Sequence, residues 1–270
     1  MNNRRSFLKK SALISAPFIL PSHIWAAKGD SSPNNRINIA IIGPGKMGRG
    51  HANFLVRNPR VQITGFAEIA DIRTKHTKEL IEKHYSKNLP GEKWKGLTIT
   101  NNYLELLEDK SLDAVLIATP DHWHGEATIR AARAKKHVYC EKPISLTIKE
   151  GRAMANAVKD NKVVFQTGSQ QRTQYGGKFR RTVEMIRSGA IGELKKIRVC
   201  VGNPPVPCDL PTEITPEGID WDAWQGPAPV RGYNKILCPD DVHNHFPAWR
   251  RYREYCNGGL ADMGAHHFDI

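Results

Sequence analysis

The apolar positions of the chain begin as short continuous runs separated by longer polar segments. Runs rich in isoleucine and valine occur at 36–42, 61–67, 113–118 and 137–140. Runs of this kind predict strands that are buried on both faces. The segments that follow the first and third runs have helical patterns, at 47–58 and up to residue 136. Strands that alternate with helices predict an α/β fold with a doubly wound parallel sheet.

The pattern changes beyond residue 155. Three further elements are predicted there: a strand at 162–166, a helix at 179–188, and a half-buried strand within 192–202, where apolar and polar residues alternate. A long proline-containing segment follows at 203–247, and long irregular segments of compact domains are often functional. We therefore expect two domains, 35–155 and 156–270, after a leader at 1–27.

A glycine motif, Gly43-x-Gly45-x-x-Gly48, follows the first predicted strand directly. Gly43 permits a tight turn, Gly45 lets the backbone approach a pyrophosphate, and Gly48 lets the following helix pack closely. The helix N-terminus adds N–H groups that favour a phosphate. The motif therefore predicts a dinucleotide-binding Rossmann domain, although the same spacing also occurs by chance in loops.

An acidic residue, Glu68, ends the second predicted strand. It lies about 20 residues after the glycines, where an acid binds the ribose hydroxyls of a dinucleotide. Asp71 is a second candidate, and a solvated carboxylate at a strand end is the alternative. An acid at this place favours NAD over NADP, while the neighbouring Arg73 leaves NADP open.

Polar clusters follow the third and fourth predicted strands, at 119–124 and 141–143. In doubly wound sheets, ligands bind at the carboxyl ends of the strands. Farther along, Asp262 and His266 are four residues apart and share one face if their segment is helical. These clusters predict an acid–base site, with ordinary structural roles as the alternative for each residue.

Together, four motifs resemble those of the Gfo/Idh/MocA family of sugar and cyclitol oxidoreductases. The matching text is Gly43-Pro-Gly-Lys-Met-Gly48, Ala118-Thr-Pro-Asp-His-Trp-His124, Cys140-Glu-Lys-Pro143 and Gly258-Gly-Leu-Ala-Asp-Met-Gly-Ala-His266. The resemblance covers about residues 35–270. It implies that the second domain is an α+β domain with an open mixed or antiparallel sheet. Family members continue farther, so this domain is expected to be incomplete here.

The resemblance and the glycine motif together assign the site residues. The predicted catalytic residues are Lys142, Asp262 and His266. The predicted cofactor-binding residues are Gly43, Gly45, Lys46, Met47, Gly48, Glu68, Thr119, Pro120, Trp123, His124, Glu141, Lys142 and Gln170. The predicted substrate-binding residues are Arg172, Trp224 and His267. Trp224 and its aromatic neighbours either stack on a sugar or hold their loop together.

The first residues have the pattern of a bacterial export signal. Arg4 and Arg5 precede a short apolar stretch and a small-residue cleavage site at 26–27, which predicts a Tat signal. The apolar stretch is well below the ~20 residues that a membrane span needs. We therefore expect a periplasmic protein that binds its NAD tightly, because Tat carries folded proteins and a dinucleotide pool is not expected outside the inner membrane.

Composition changes this picture little. The formal charge is +13, but the basic residues are interspersed with acids and no basic–aromatic module indicates a nucleic-acid partner. The five cysteines form no CxxC pair. His243 and His245 lack further ligands at metal-site spacing, so no metal is predicted. The expected partners are a small carbohydrate and further copies of the chain in a homo-oligomer.

The predicted function is NAD(P)-dependent hydride transfer at a ring carbon of a sugar or cyclitol. In this hypothesis His266 removes the hydroxyl proton, Asp262 orients His266, and Lys142 polarises the oxygen. One alternative is an NAD-dependent glycoside hydrolase that acts through transient oxidation, although that group of the family lacks the lysine of Glu-Lys-Pro. The other alternative is a non-catalytic sugar-binding protein.

Overall fold

Six parallel strands form the sheet on which the protein is built. The computed structural model describes residues 36–88 and 96–270, so the predicted leader lies outside the described residues. The strands are β1 Ile37–Ile42, β2 Val61–Ala67, β3 Thr98–Thr100, β4 Ala114–Ile117, β5 His137–Glu141 and β6 Phe165–Gly168. Their order is β3-β2-β1-β4-β5-β6, which is the Rossmann order, with its switch point between β1 and β4. The predicted doubly wound parallel sheet is confirmed.

Helices connect the strands and continue beyond the sheet. They are α1 Lys46–Leu55, α2 Asp71–Asn88, α3 Tyr103–Glu108, α4 His124–Arg133, α5 Ile148–Asn161, α6 Lys178–Arg187, α7 Trp221–Gln225, α8 Gly258–Asp262 and α9 Gly264–Asp269. Short 3-10 helices lie at Asp121–Trp123, Gln170–Arg172, Tyr175–Gly177 and Ala248–Arg251. Among the described helices, none combines the length and the apolar character that a membrane span requires.

Residues of β1 alternate between two hydrophobic cores. Ala40 and Ile42 pack into the core on one face of the sheet. Ile41 packs into the core on the other face, with Ile63 and Phe66 of β2. All five side chains are buried. Helices therefore cover both faces, which explains why the strand sequences are continuously apolar rather than alternating.

Around and after α5, the structure differs from the sequence prediction in three respects. The strand predicted at 162–166 for the second region forms, as β6, but it pairs with β5 at the edge of the first sheet. The boundary predicted at residue 155 falls inside α5, whereas the sheet continues to Gly168. The strand predicted within 192–202 is wrong: that segment is irregular and mostly exposed. An alternating segment needs a neighbouring strand, and the described residues beyond β6 contribute only single bridges.

Residues 206–256, here called the aromatic segment, have little regular structure but a core of their own. Buried members of this core include Trp221, Trp224, Tyr233, Trp249 and Tyr255. The rings of Trp221 and Trp224 stack with centroids 4.7 Å apart. Asp220 caps the short helix α7 by accepting a hydrogen bond from the Ala223 N–H. Tyr233, which is 2% exposed, therefore holds this segment together, as the structural alternative expects.

Candidate active site and cofactor cleft

The glycine turn after β1 has the geometry that a dinucleotide requires. Gly43 has a φ of +76°, and a Cβ there would lie 2.7 Å from Thr119 Cγ2. A Cβ on Gly48 would lie 2.7 Å from the Gly43 carbonyl oxygen. A Cβ on Gly45 would meet nothing within 4 Å. The first and third glycines are therefore needed for packing, while the second leaves open space at the N-terminus of α1, where a pyrophosphate fits.

A cleft of about 570 Å³ adjoins this turn, within the range of roughly 300–1,000 Å³ that is usual for ligand pockets. The predicted cofactor residues that line it are Gly43, Gly45, Lys46, Met47, Glu68, Thr119, Pro120 and Trp123. The opposite wall comes from the aromatic segment and includes Asp220, Trp224, Cys238, His243, Phe246, Trp249 and Arg250. The cleft thus lies between the carboxyl edge of the sheet and the aromatic segment.

Glu68, the residue predicted to bind a ribose, lines the cleft beyond the end of β2. Its side chain is buried, and its Oε1 accepts hydrogen bonds from the N–H groups of Ile69 and Ala70, at 3.0 and 3.1 Å, and from Arg73 Nε at 3.1 Å. All three bonds reach the same oxygen, so Oε2 remains for a ligand hydroxyl among the described contacts. Asp71, the second candidate, begins α2 and does not line the cleft.

Side-chain tethers hold the aromatic segment over the glycine turn. Arg49 of α1 is buried and donates to the carbonyl oxygens of Pro44, at 3.3 Å, and His243, at 2.6 Å. The Lys46 ammonium lies 4.2 Å from the centroid of the Phe246 ring. The turn that would carry the pyrophosphate is therefore joined directly to the opposite wall.

Further tethers lie at the ends of β2 and β4. Trp123 Nε1 donates to the Trp224 carbonyl oxygen at 2.9 Å, and His122 Nε2 lies 2.9 Å from the same oxygen. The Asp220 N–H donates to the Ile69 carbonyl oxygen, also at 2.9 Å. The two walls are therefore also joined by hydrogen bonds at the ends of β2 and β4.

The three predicted catalytic residues come together beside Arg250. Lys142 Nζ donates to Asp262 Oδ1 and, at 2.9 Å, to the Asp262 carbonyl oxygen. Arg250 Nε lies 3.9 Å from Asp262 Oδ2. Burial, and after it the charge of Lys142, lower the pKa of His266, so its imidazole is neutral near pH 7. Lys142 faces one carboxylate oxygen of Asp262 and Arg250 faces the other, so Asp262 holds Lys142 in place. Among the described residues, no hydrogen bond joins Asp262 to His266.

Glu141 and Gln170 form a network behind Lys142 instead of lining the cleft. Glu141 Oε1 accepts hydrogen bonds from His51 Nε2 at 2.6 Å and Gln170 Nε2 at 2.5 Å. Gln170 Nε2 also donates to Tyr139 Oη at 2.8 Å. These predicted cofactor residues therefore bond to each other and fix the end of β5. His51 was not predicted as a site residue. The sequence indicated only that it lies on the helix after the glycine turn.

His124 lies beneath the cleft, which corrects the prediction that it lines the cofactor site. Its ring is buried, with Nδ1 2.6 Å from the Pro143 carbonyl oxygen and Nε2 2.9 Å from that of Thr119. Burial lowers the pKa of His124, and a neutral ring donates to only one of these carbonyls. His124 therefore joins the end of β4 to the Lys142–Pro143 turn.

Asp121 is a second residue that sequence reasoning did not assign. Its carboxyl is buried, and its Oδ2 has no hydrogen-bond partner among the described residues. Burial raises the pKa of Asp121 to about 7, although Cys256, Arg250 and Lys142 act in the opposite direction. A carboxyl group that titrates near neutrality thus lies next to the Lys142–Asp262 pair.

The predicted substrate residues are not all available to a substrate. Arg172 pairs with Asp269, its Nε lying 2.8 Å from Asp269 Oδ2. Trp224 is buried in the aromatic core and presents only part of its surface to the cleft. His267 is half-buried on α9. Within the described ranges, no group of three or more His, Cys, Asp and Glu side chains could hold a metal ion.

Comparison with protein families gives two matches. Residues 37–169 match the NAD-binding Rossmann fold of the oxidoreductase family Gfo/Idh/MocA. Residues 206–270 match the C-terminal α/β domain of that family. The two matched regions contain the two walls of the cleft and the Lys142–Asp262 pair.

Within the aligned regions, three relatives are 27% to 30% identical to the chain. A myo-inositol 2-dehydrogenase of Thermotoga maritima is 30% identical over 64% of this chain and 46% of the relative. A glycosyl hydrolase family 109 protein of Stenotrophomonas maltophilia is 27% identical over 82% of this chain and 49% of the relative. A crystal structure of a probable dehydrogenase from Thermotoga maritima is 29% identical, covers 58% of this chain and 42% of that chain, and has a TM-score of 0.49. The chain spans about half the length of the curated relatives it matches.

Proposed function

Because the chain belongs to the Gfo/Idh/MocA family of oxidoreductases and carries its NAD-binding Rossmann fold, we propose that it transfers hydride between NAD and a ring carbon of a sugar or cyclitol. The observation that carries the proposal is the Lys142–Asp262 pair at the carboxyl edge of the sheet. A neutral imidazole, His266, lies on the helix that follows Asp262. This combination supplies a cation and a base next to a cleft that fits a dinucleotide.

Each residue of the cluster has a distinct role in the proposal. When bound, the nicotinamide accepts the hydride from the ring carbon or returns it. His266 accepts the proton of the ring hydroxyl, which a neutral imidazole can do. The Lys142 ammonium stabilises the negative charge that develops on that oxygen. Asp262 fixes the ammonium in place, which is a different role from the one predicted for it.

We further propose that the cofactor stays bound between turnovers. The tethers from Arg49, Lys46 and Trp123 to the aromatic segment would have to break before a dinucleotide could leave sideways. Tight binding suits a protein that is exported with its cofactor through the proposed Tat signal, which lies outside the described residues. Changing both Arg4 and Arg5 to lysine should leave the precursor in the cytoplasm; normal export of that variant would contradict the Tat route and, with it, loading of the cofactor before export. The proposed homo-oligomer stays a prediction.

Single-turnover reduction of bound NAD tests the proposed activity. The purified protein is mixed with a panel of sugars, cyclitols and glycosides, and reduction is followed at the nicotinamide absorbance. A sugar or cyclitol that reduces the bound cofactor and yields a ketone supports the proposal. Failure of every compound on the panel, with bound NAD verified by mass spectrometry, would contradict it.

The second candidate function is NAD-dependent glycoside hydrolysis. The similarity to a glycosyl hydrolase family 109 protein, which extends over most of this chain, favours it. The presence of Lys142 favours the dehydrogenase. The two are separated by the product: a hydrolase releases the aglycone of a glycoside with no net reduction of NAD, whereas a dehydrogenase leaves the glycosidic bond intact.

A further inference from the structure

The guanidinium of Arg73 is fully engaged at the ribose end of the cleft. Its Nε donates to Glu68 Oε1 at 3.1 Å, Nη1 donates to the Pro239 carbonyl oxygen at 2.8 Å, and Nη2 lies 3.6 Å from Cys238 Sγ. The side chain is 5% exposed. Arg73 therefore forms part of the cleft wall but is held too firmly to extend into the cleft.

The partners of Arg73 come from two parts of the chain. Glu68 ends β2 of the sheet, whereas Cys238 and Pro239 lie in the aromatic segment. The thiol of Cys238 is buried and lines the same cleft. The orientation of the acid that faces the ribose thus depends on residues outside the Rossmann fold.

We propose that Cys238 and Pro239 set the cofactor preference of this protein, because they hold Arg73 against Glu68 and away from a bound 2′-phosphate. The inference rests on the proposed function only in requiring that a dinucleotide occupies the cleft. Glu68 Oε2 then meets a ribose 2′-hydroxyl, which NAD has. A 2′-phosphate would meet the carboxylate instead and would find this guanidinium already bound.

This arrangement makes Arg73 a positioning residue and not a phosphate ligand. A cation free to reach the ribose would bind a 2′-phosphate and favour NADP. An arginine fixed through all three nitrogens instead orients the acid and partly neutralises it. Arg73 and lysine are not equivalent here, because only the planar guanidinium matches the three acceptors at once.

Binding of NAD and NADP to the cofactor-free full-length protein tests the proposal. The parent should bind NAD at least about 100-fold more tightly than NADP, the scale of a charge-assisted hydrogen bond exchanged for a repulsion. Arg73→Lys keeps the charge but removes the Nε donor from Glu68 Oε1, which then keeps only the N–H groups of Ile69 and Ala70. NAD binding should therefore weaken by about 10-fold while NADP binding holds or improves. Arg180→Lys is the matched control, since Arg180 also pairs with a glutamate, Glu184, but does not line the cleft; it should leave the ratio unchanged.

A second pair of variants tests the aromatic segment itself and leaves Arg73 in place. Cys238→Ser retains an acceptor for Nη2 and should keep the parent preference, whereas Cys238→Ala removes it and should lower the preference for NAD by about 3-fold to 10-fold. Thermal melting verifies that each variant is folded. Equal binding of NAD and NADP by the parent, or loss of NADP binding alone in Arg73→Lys, would overturn the inference. Failure to bind either dinucleotide would remove the proposed function as well.

Discussion

The two walls of the cleft are built in different ways. The sheet wall is fixed by parallel strands whose backbones pair along their length. The aromatic segment has one five-residue helix and one four-residue 3-10 helix. It is fixed by stacked aromatic rings and by side chains that bond to backbone atoms of the sheet wall. Regular pairing therefore positions one wall, and tertiary contacts position the other.

This difference indicates how substitutions elsewhere in the protein should affect the positions of the predicted site residues. Residues at strand ends, such as Thr119 and Lys142, are positioned by a backbone framework that survives most side-chain substitutions. Arg250 depends instead on the packing of the aromatic segment, and Asp262 on that of α8, which follows it. Lys142 and Arg250 both face the Asp262 carboxylate, so this carboxylate connects the sheet wall to the aromatic segment.

The largest effect is expected at the junction of the two walls. Lys142→Ala and His266→Ala should each slow hydride transfer by roughly two to four orders of magnitude, the usual scale for positioned acid–base groups. The losses should not multiply in the double variant, because both residues act on one transition state. Lys149→Ala, at an exposed lysine of α5, is the control. Parent rates in both single variants would place the active site elsewhere.

The pH dependence of the same step follows from His266. Its pKa is lowered by burial and by Lys142, and it must be neutral to accept a proton. The rate of hydride transfer should therefore stay constant as the pH falls to the usual pKa of histidine, and it should decline only below that pH. The decline of the rate at low pH should disappear in His266→Ala. If the decline persists in that variant, another group is responsible for it.

Removal of a large ring tests the packing of the aromatic segment. Trp224→Ala should reduce the free energy of unfolding by about 3–5 kcal/mol, the usual cost for a buried tryptophan. Phe54→Ala, at a residue 70% exposed on α1, should change it by less than about 0.5 kcal/mol. Urea unfolding followed by far-ultraviolet circular dichroism measures both. Two separate transitions in Trp224→Ala would show that the sheet is stable without the aromatic segment.

The glycine turn tests the sheet wall. Gly45→Val should weaken dinucleotide binding by about 100-fold or more, through lost charge-assisted hydrogen bonds to phosphate. The fold should survive, since a Cβ at Gly45 meets nothing within 4 Å. Gly50→Ala, which also places its Cβ in open space, is the matched control on α1. Parent affinity in Gly45→Val would remove the turn from the cofactor site.

The sheet wall was largely predictable from sequence, because its signals are local. Continuous apolar runs, the glycine spacing and the acid at Glu68 are each visible within a few residues. The exception is β3, Thr98–Thr100, which is too short to show a pattern. The strand expected within 192–202 failed because alternation alone does not supply a pairing partner.

The aromatic segment and the charge partners were not predictable in this way. The contacts of Arg73 with Pro239 and of Arg49 with His243 join residues more than a hundred positions apart. Asp262 was predicted to orient His266 because they are close in sequence, but Lys142, 120 positions away, pairs with it. The hydrogen bonds of His51 and Gln170 to the buried Glu141 were missed for the same reason, since they depend on tertiary structure.

The smallest predicted effect concerns Asp121, which lies between the two walls near Lys142, Arg250, Asp262, Cys140 and Cys256. Burial raises the pKa of Asp121 to about 7, above its value in the unfolded chain. The folded protein therefore binds more protons, and the stability that the neutral carboxyl contributes is present in acid and is lost as pH rises to about 7. Asp121→Asn removes this loss.

The free energy of unfolding of the Asp121→Asn variant should accordingly exceed that of the parent at about pH 8 and fall below it near about pH 4.5, where the parent carboxyl is neutral. The gain should be on the order of 2 kcal/mol, below the ~4 kcal/mol of a three-unit shift, because asparagine leaves a polar group buried. Burial lowers the pKa of His122 and His243 to about 4, so both oppose folding in acid. Because the variant and the parent share these histidines, the difference between their urea unfolding curves isolates Asp121. A difference that does not change with pH would mean that Asp121 is ionised throughout and is paired with Lys142 or Arg250 as firmly as Asp262 is.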